Sequence, residues 1–210
     1  MTNAMVAVTR KIEYLASRNK LIYGISALYY RSIVENEVKL AGITPADQVL
    51  CIGGGPCPFT GILIHRLTGA RVTIVDNDYN CVLCARHLIA GLGLDQHLKV
   101  IYADGKDIEV DCYSVIHLAL QVAPFEEVFM ELERKCRQGT RLLVRLPKKT
   151  ARPFYSHEGG VFFSDCRYAV HGKSKNVAGT ALYIKAGSNY EKSGSVYNVD
   201  NRTCYSHAAV

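Results

Sequence analysis

Three glycines and two aspartates, set at the ends of successive apolar runs, are the residues of this chain best placed to do chemistry. Gly53, Gly54 and Gly55 sit in the segment Gln48 to Thr60 (QVLCIGGGPCPFT), directly after Val49-Leu50-Cys51-Ile52. Glycine accepts positive φ and lets a ligand approach the main chain closely. A buried strand, a glycine turn and a helix start are the parts of a nucleotide pocket. Asp76 ends the β-branched run Arg71 to Val75, where a carboxylate can accept hydrogen bonds from both hydroxyls of a ribose. Asp104 ends Leu98 to Ala103, where it can accept from the exocyclic amine of adenine. Each aspartate alone is equally consistent with a helix N-cap. In this order and at this spacing, the set points to an adenosine-bearing cofactor. Pro56, Asn77, Gly105 and Gln121 flank these positions and complete the candidate cofactor-binding set.

The elements that would hold them in place are legible as alternating patterns. Residues 5 to 42 read as helical, and Lys20 to Gly42 puts Leu21, Ile25, Leu28, Ile33, Val34, Val38 and Leu40 near one broad face. Gly42 is a stop signal. Strands are expected at Val49–Ile52, Arg71–Val75, Leu98–Ala103, Tyr113–Leu120 and Thr140–Leu146. Helices are expected between them at Phe59–Leu67, Tyr79–Leu92 and from Pro124 to about Arg137, proline being at home in a first helical turn. Repeated βα units imply right-handed crossovers and a parallel sheet covered on both faces. Arg167–Gly172 and Thr180–Ala186 would add an antiparallel closing hairpin. The expected fold is therefore α/β, a Rossmann-like doubly wound sheet of seven strands. Helices in residues 1–44 form a lid, residues 45–187 form the cofactor-binding domain, and 188–210 is a polar tail without periodicity, expected to be poorly ordered.

Composition narrows the class. A chain of 210 residues suits one domain with a full-sized core. No apolar run approaches the ~18 residues of a membrane span, and the N-terminus lacks a signal-peptide pattern, so a cytoplasmic protein without a membrane partner is expected. The formal charge of +6 is spread along the chain, with Lys148, Lys149 and Arg152 in one loose group and Lys173 and Lys175 in another. It reads as a solvated basic surface, and no nucleic-acid partner is expected. The eight cysteines read as reduced thiols, several inside apolar patterns where Cys acts as a small hydrophobe. Cys81 and Cys84 form a CxxC without a second pair at zinc spacing, so no metal site is expected.

Between NAD and S-adenosylmethionine, the residues favour the latter. The dinucleotide fingerprint G-x-G-x-x-G would run from Gly53 to Pro58 and end on proline. The segment Gly53-Gly54-Gly55-Pro56-Cys57-Pro58-Phe59-Thr60 resembles the G-x-G-P-x-P-x-T segment of the nicotianamine synthase family, a branch of the class I methyltransferase fold. The resemblance extends to Ile74-Val75-Asp76-Asn77-Asp78, and to the stretch from Arg145 to Tyr155 after the fifth strand, with Thr150 where the family has glycine. His171 and Val177–Lys185 look like the family's closing hairpin. The helices ahead of the fold are much shorter than the family's helical N-terminal domain.

What the resemblance implies is attack on the γ-carbon of the aminocarboxypropyl arm of S-adenosylmethionine, releasing 5′-methylthioadenosine. The stiff Pro56-x-Pro58 turn would reposition that arm, since both φ angles are fixed. A small amine or amino acid is the implied acceptor. Cyclisation of the cofactor's own amine to an azetidine, methyl transfer to a small molecule, and a non-catalytic binding module stay open as alternatives. The pattern Tyr30-x-x-Ile33-x-x-x-Glu37 resembles the family's Tyr and Glu spacing, which makes Glu37, with Tyr30 on the same helical face, the candidate catalytic pair; Glu35 is second. Arg145 and Tyr155 are the candidate substrate-binding residues, with an ion pair to a helix as the other reading of Arg145. His65 and His117 read as structural. A homodimer is compatible with all of this.

Overall fold

Short β-branched runs bounded by turns dictate a sheet, and the longer periodic segments between them cover it. The computed structural model describes residues 4–151, 166–172, 174–186 and 196–197. The elements are α1 (Ala4–Arg18), α2 (Lys20–Ala41), β1 (Gln48–Ile52), α3 (Phe59–Thr68), β2 (Arg71–Asp76), α4 (Tyr79–Gly91), β3 (Leu98–Tyr102), β4 (Val115–Leu118), α5 (Phe125–Lys135), β5 (Arg141–Pro147), β6 (Arg167–Val170), β7 (Val177–Ile184) and β8 (Val196–Tyr197). They form one sheet in the order β3-β2-β1-β4-β5-β7-β6-β8. The first five strands are parallel and doubly wound, with the switch point between β1 and β4. Then β7 runs antiparallel to β5 and β6. The expected seven strands are there. The eighth, β8, is two residues long, pairs in parallel with β6 and comes from the 188–210 tail, expected to be poorly ordered.

Strand alternation sorts the core into two layers. Val49 and Cys51 of β1 face the side covered by α2, α3 and α4, with Val34, Ile62 and Ile89. Leu50 and Ile52 face the other side, where α5 supplies Phe125, Val128, Phe129 and Leu132. Burying each such side chain is worth roughly 1.5–3 kcal/mol.

The helical region expected over residues 5 to 42 divides at Asn19 into α1 and α2. Asn19 takes extended backbone angles and its side chain accepts from the N–H groups of Leu21 and Ile22, at 2.9 and 3.2 Å, so it caps a new helix. Gly42 ends α2 in the left-handed conformation, as expected. The broad apolar face predicted for α2 is divided. Ile33, Val34 and Leu40 are buried against the sheet, whereas Leu21, Ile25 and Leu28 are exposed.

Candidate active site

The carboxyl ends of β1 to β4 open into a cleft of about 180 Å³, roofed by α1 and α2. The glycine turn forms its floor. The N–H groups of Gly53 and Gly54 donate to the Val75 carbonyl at 2.9 and 3.2 Å, folding the turn onto β2. The glycines serve different purposes. A Cβ on Gly54 would lie 2.3 Å from Cγ2 of Ile74, so this glycine lets the turn pack on the sheet. Gly55 has a φ of +64°, and a Cβ there would stand 2.7 Å from Oε2 of Glu13, inside the cleft. Its N–H donates to Oδ2 of Asp76 at 2.7 Å, while Oδ1 of Asp76 accepts from the N–H of Asp78 at 2.9 Å. The N-cap of α4 is Asp78, which leaves Asp76 as part of the cleft wall. Asp104 accepts from the N–H of Lys106 at 3.1 Å and also lines the cleft.

Among the sequence-predicted residues, Gly53, Gly54, Gly55, Asp76, Asn77, Asp104, Gly105, Gln121, Tyr30 and Arg145 all line this cleft. Pro56 is buried and is not part of the lining. Tyr155 lies outside the described residues. Glu37, the sequence candidate for the base, does not line the cleft either; it is completely buried behind Arg145.

The burial of Glu37 is compensated in full. Nε of Arg145 donates to Oε1 and Nη2 to Oε2, both at 2.8 Å. The Thr180 hydroxyl adds a 2.7 Å hydrogen bond to Oε1. Sheet register explains the meeting, because Arg145 on β5 stands directly opposite Thr180 on β7 and α2 lies over both. Since Thr180 donates to Glu37, the Nε2–H of His171 must donate to Thr180, at 2.8 Å. Nε2 of His117 faces Oε2 of Glu37 at 3.4 Å without a hydrogen bond of good geometry. Desolvation alone would raise the Glu37 pKa, but the Arg145 guanidinium and its hydrogen bonds outweigh that and hold it well below the carboxylate range. Burial keeps His117 neutral. The ion-pair reading of Arg145 is thus the observed one, although the guanidinium also reaches the cleft wall. Its carbon lies 5.9 Å from the centre of the Tyr30 ring, which stacks in turn on Phe59 at 5.1 Å.

A second glutamate was not anticipated. Glu13 projects from α1 into the cleft beside Asp76. Burial, then the charge of Asp76, raise its pKa from 4.5 to about 8, against the opposing pull of Arg10 and Arg145. The helix is pinned by Arg10 to Asp78 at 3.2 Å and by the Tyr14 hydroxyl to Sγ of Cys81 at 3.6 Å. The one sequence signal was the spacing of Thr9, Glu13 and Ala16, which puts them on one inward stripe of α1.

Chemically, the cleft offers two carboxylates at strand ends, a carboxyl that exchanges its proton near neutral pH, and a cation held rigid by a buried counter-ion. That donor set fits an adenosine-bearing sulfonium with a free carboxylate. Among the described residues, no cluster of His, Cys, Asp and Glu could hold a metal ion, and no helix is long and apolar enough to cross a membrane. The described cysteines are free thiols.

No family model matches the chain. A curated relative, the L-histidine 2-aminobutanoyltransferase of Yersinia pestis, is 32% identical over 72 residues, which are 34% of this chain and 27% of that protein. The matched segment therefore spans about a quarter of the relative's length. Among solved structures, the nicotianamine synthase MtNAS in complex with MTA and tNA aligns with a TM-score of 0.73 at 25% identity, over 87% of this chain and 73% of that one. A glutamate-to-glutamine variant of MtNAS in complex with S-adenosylmethionine gives a TM-score of 0.73 at 24% identity, covering 87% of this chain and 75% of the other. An RNA methyltransferase from Salinibacter ruber in complex with S-adenosyl-L-homocysteine gives 0.58 at 15% identity, over 76% of this chain and 94% of that one. These likenesses show a class I methyltransferase-like fold.

Proposed function

We propose that this protein is an S-adenosylmethionine-dependent transferase that moves the 3-amino-3-carboxypropyl group onto the nitrogen of a small amine or amino acid. The reading is supported by the likeness to MtNAS and by the partial match to an aminobutanoyltransferase. The single observation that carries it is a protonatable Glu13 in the same cleft as the strand-end carboxylates Asp76 and Asp104.

In this reading Asp76 holds the ribose hydroxyls and Asp104 the adenine amine, with Gly53, Gly54, Gly55, Asn77, Gly105 and Gln121 shaping the wall around them. Bound there, the sulfonium supplies a γ-carbon open to attack, with methylthioadenosine as the leaving group. Glu13 takes the proton from the attacking amine, a task that suits a carboxyl titrating near the working pH. Arg145 receives a carboxylate of cofactor or acceptor, and Tyr30 packs against its guanidinium. Glu37, first expected to be the base, acts instead by fixing Arg145, since a carboxylate held so strongly ionised is a weak base.

Incubation of pure protein with S-adenosylmethionine and candidate amines, read by mass spectrometry, tests the proposal. Methylthioadenosine together with a product heavier by the aminocarboxypropyl group is expected. Methylthioadenosine formed without any acceptor would make cyclisation the reaction, and S-adenosylhomocysteine as sole product would replace the proposal by methyl transfer. Binding without turnover would leave a binding module. A homodimer is compatible with the proposed activity.

A further inference from the structure

The cleft has an end that the adenosine does not account for. Asp76 ends β2 and Asp104 follows β3, whereas Leu120, Arg145, Asn176 and Val177 line the cleft from the far side of β1, on or beside β4, β5 and β7. A cofactor whose adenosine lies between the two aspartates extends its arm across the switch point toward that far side. Asn176 and Val177 reach the cleft from the turn between β6 and β7. The Asn176 carbonyl accepts from the N–H of Lys148 at 2.9 Å, which fixes its main chain beside the end of β5. Its side-chain amide makes no hydrogen bond among the described residues.

A residue of the roof is stitched into this turn. The hydroxyls of Tyr29 and Ser174 share a hydrogen bond of 2.9 Å. The Tyr29 oxygen also accepts from the N–H of Lys175 at 3.2 Å, and Oγ of Ser174 accepts from the N–H of Val177 at 3.1 Å. Two main-chain donors on either side of Asn176 are thus satisfied by side-chain hydroxyls rather than by a ladder. The Tyr29 ring stands edge-on to Tyr30, with centroids 5.2 Å apart and planes at 83°, and both rings line the cleft. We propose that Tyr29 is a positioning residue, which holds the β6–β7 turn so that the Asn176 amide meets a hydrogen-bonding group of the acceptor and selects for it. The inference rests on the transfer reaction proposed above. It assigns to the acceptor the wall formed by Asn176 and Val177, across β1 from the wall assigned to the cofactor.

Steady-state kinetics test it, with S-adenosylmethionine and the amino acid turned over fastest in the mass-spectrometric assay. Tyr29→Phe keeps the ring against Tyr30 and removes the hydroxyl. It should raise the KM for the acceptor about 5- to 10-fold, with kcat and the calorimetric affinity for S-adenosylmethionine within about two-fold of the original. Ser174→Ala removes the other half of the tie and should give the same split. Asn176→Ala should raise that KM at least as much, and adding Tyr29→Phe to it should cost less than about two-fold more, because the tyrosine acts through this residue. An unchanged acceptor KM in Tyr29→Phe would overturn the proposal. So would full additivity with Asn176→Ala, or a loss of S-adenosylmethionine affinity as large as the rise in KM. S-adenosylhomocysteine as product would overturn the transfer reaction alone, since the same split, taken on the methyl acceptor, still decides the role of Tyr29. Methylthioadenosine formed without an acceptor, or binding without turnover, would overturn both.

Discussion

Glu13 and Glu37 sit on consecutive helices of the same roof and are driven to opposite electrostatic states. Both lose water. Glu37 meets Arg145 through two 2.8 Å hydrogen bonds and the Thr180 hydroxyl besides, and it stays ionised. Glu13 meets Asp76, a like charge, and retains its proton to about pH 8. Desolvation raises both; at Glu37 the Arg145 cation and its hydrogen bonds outweigh it, whereas at Glu13 it remains the main cause and Asp76 adds to it. A carboxylate locked to a cation builds structure, whereas one beside another carboxylate is poised to exchange a proton.

The largest effect should come from breaking the locked pair. Glu37→Ala leaves Arg145 buried without its counter-ion and should cost about 3–5 kcal/mol in denaturant unfolding, while replacing both partners by apolar residues of similar volume should recover most of that loss. A loss no greater than that of a surface substitution would mean the pair is not a structural unit.

Glu13→Gln should act on rate. It should lower turnover by about 10²-fold or more and leave stability and S-adenosylmethionine affinity within a few-fold of the original. Turnover of the unaltered protein should rise with pH toward a plateau above about 8, where Glu13 is deprotonated. A variant as fast as the original would remove Glu13 from the mechanism.

A smaller effect is expected in thermal stability against pH. The folded pKa of Glu13 lies above the ordinary 4.5, so its contribution is fully present below 4.5 and is lost as pH rises through about 8. For Glu37 the folded pKa is depressed, so its contribution is present above 4.5 and is lost only as pH falls through that lowered value. Glu13 should therefore pull the melting temperature down as pH rises from 4.5 to about 8, against the gain from the buried His117 and His171, so the decline should be read as the difference between the original protein and Glu13→Gln.

The smallest change tests the like-charge cause itself. Asp76→Asn removes the second contributor to the Glu13 shift and should move the midpoint of the pH–rate profile toward acid by about one unit or less. No movement would leave burial as the whole cause.

The contrast between the glutamates also marks what the sequence could convey. The succession of strands and helices along the chain and the placing of the glycine turn, Asp76 and Asp104 at strand ends were legible because each depends on local runs and on the rule that ligands meet strand ends. Glu37 and Arg145 were picked out as individuals, but their pairing is a product of register between β5 and β7 with α2 above, which no local pattern encodes. Glu13 was passed over because its role depends on how α1 packs on α4 through Arg10–Asp78 and Tyr14–Cys81. The apolar face of α2 was read as one surface, although its first half, with Leu21, Ile25 and Leu28, turns away from the sheet.

The glycine turn bears on how such motifs are compared between proteins. Gly54 is demanded by Ile74 and Gly55 by the cleft, so two unrelated constraints are written in neighbouring letters. The first should covary with the side chain on β2: where position 74 is small, alanine becomes admissible at 54. The second also rests on the +64° φ of Gly55, so glycine should stay favoured there even where position 13 is small. A glycine triplet is then two independent records, one of sheet packing and one of what the cleft must admit.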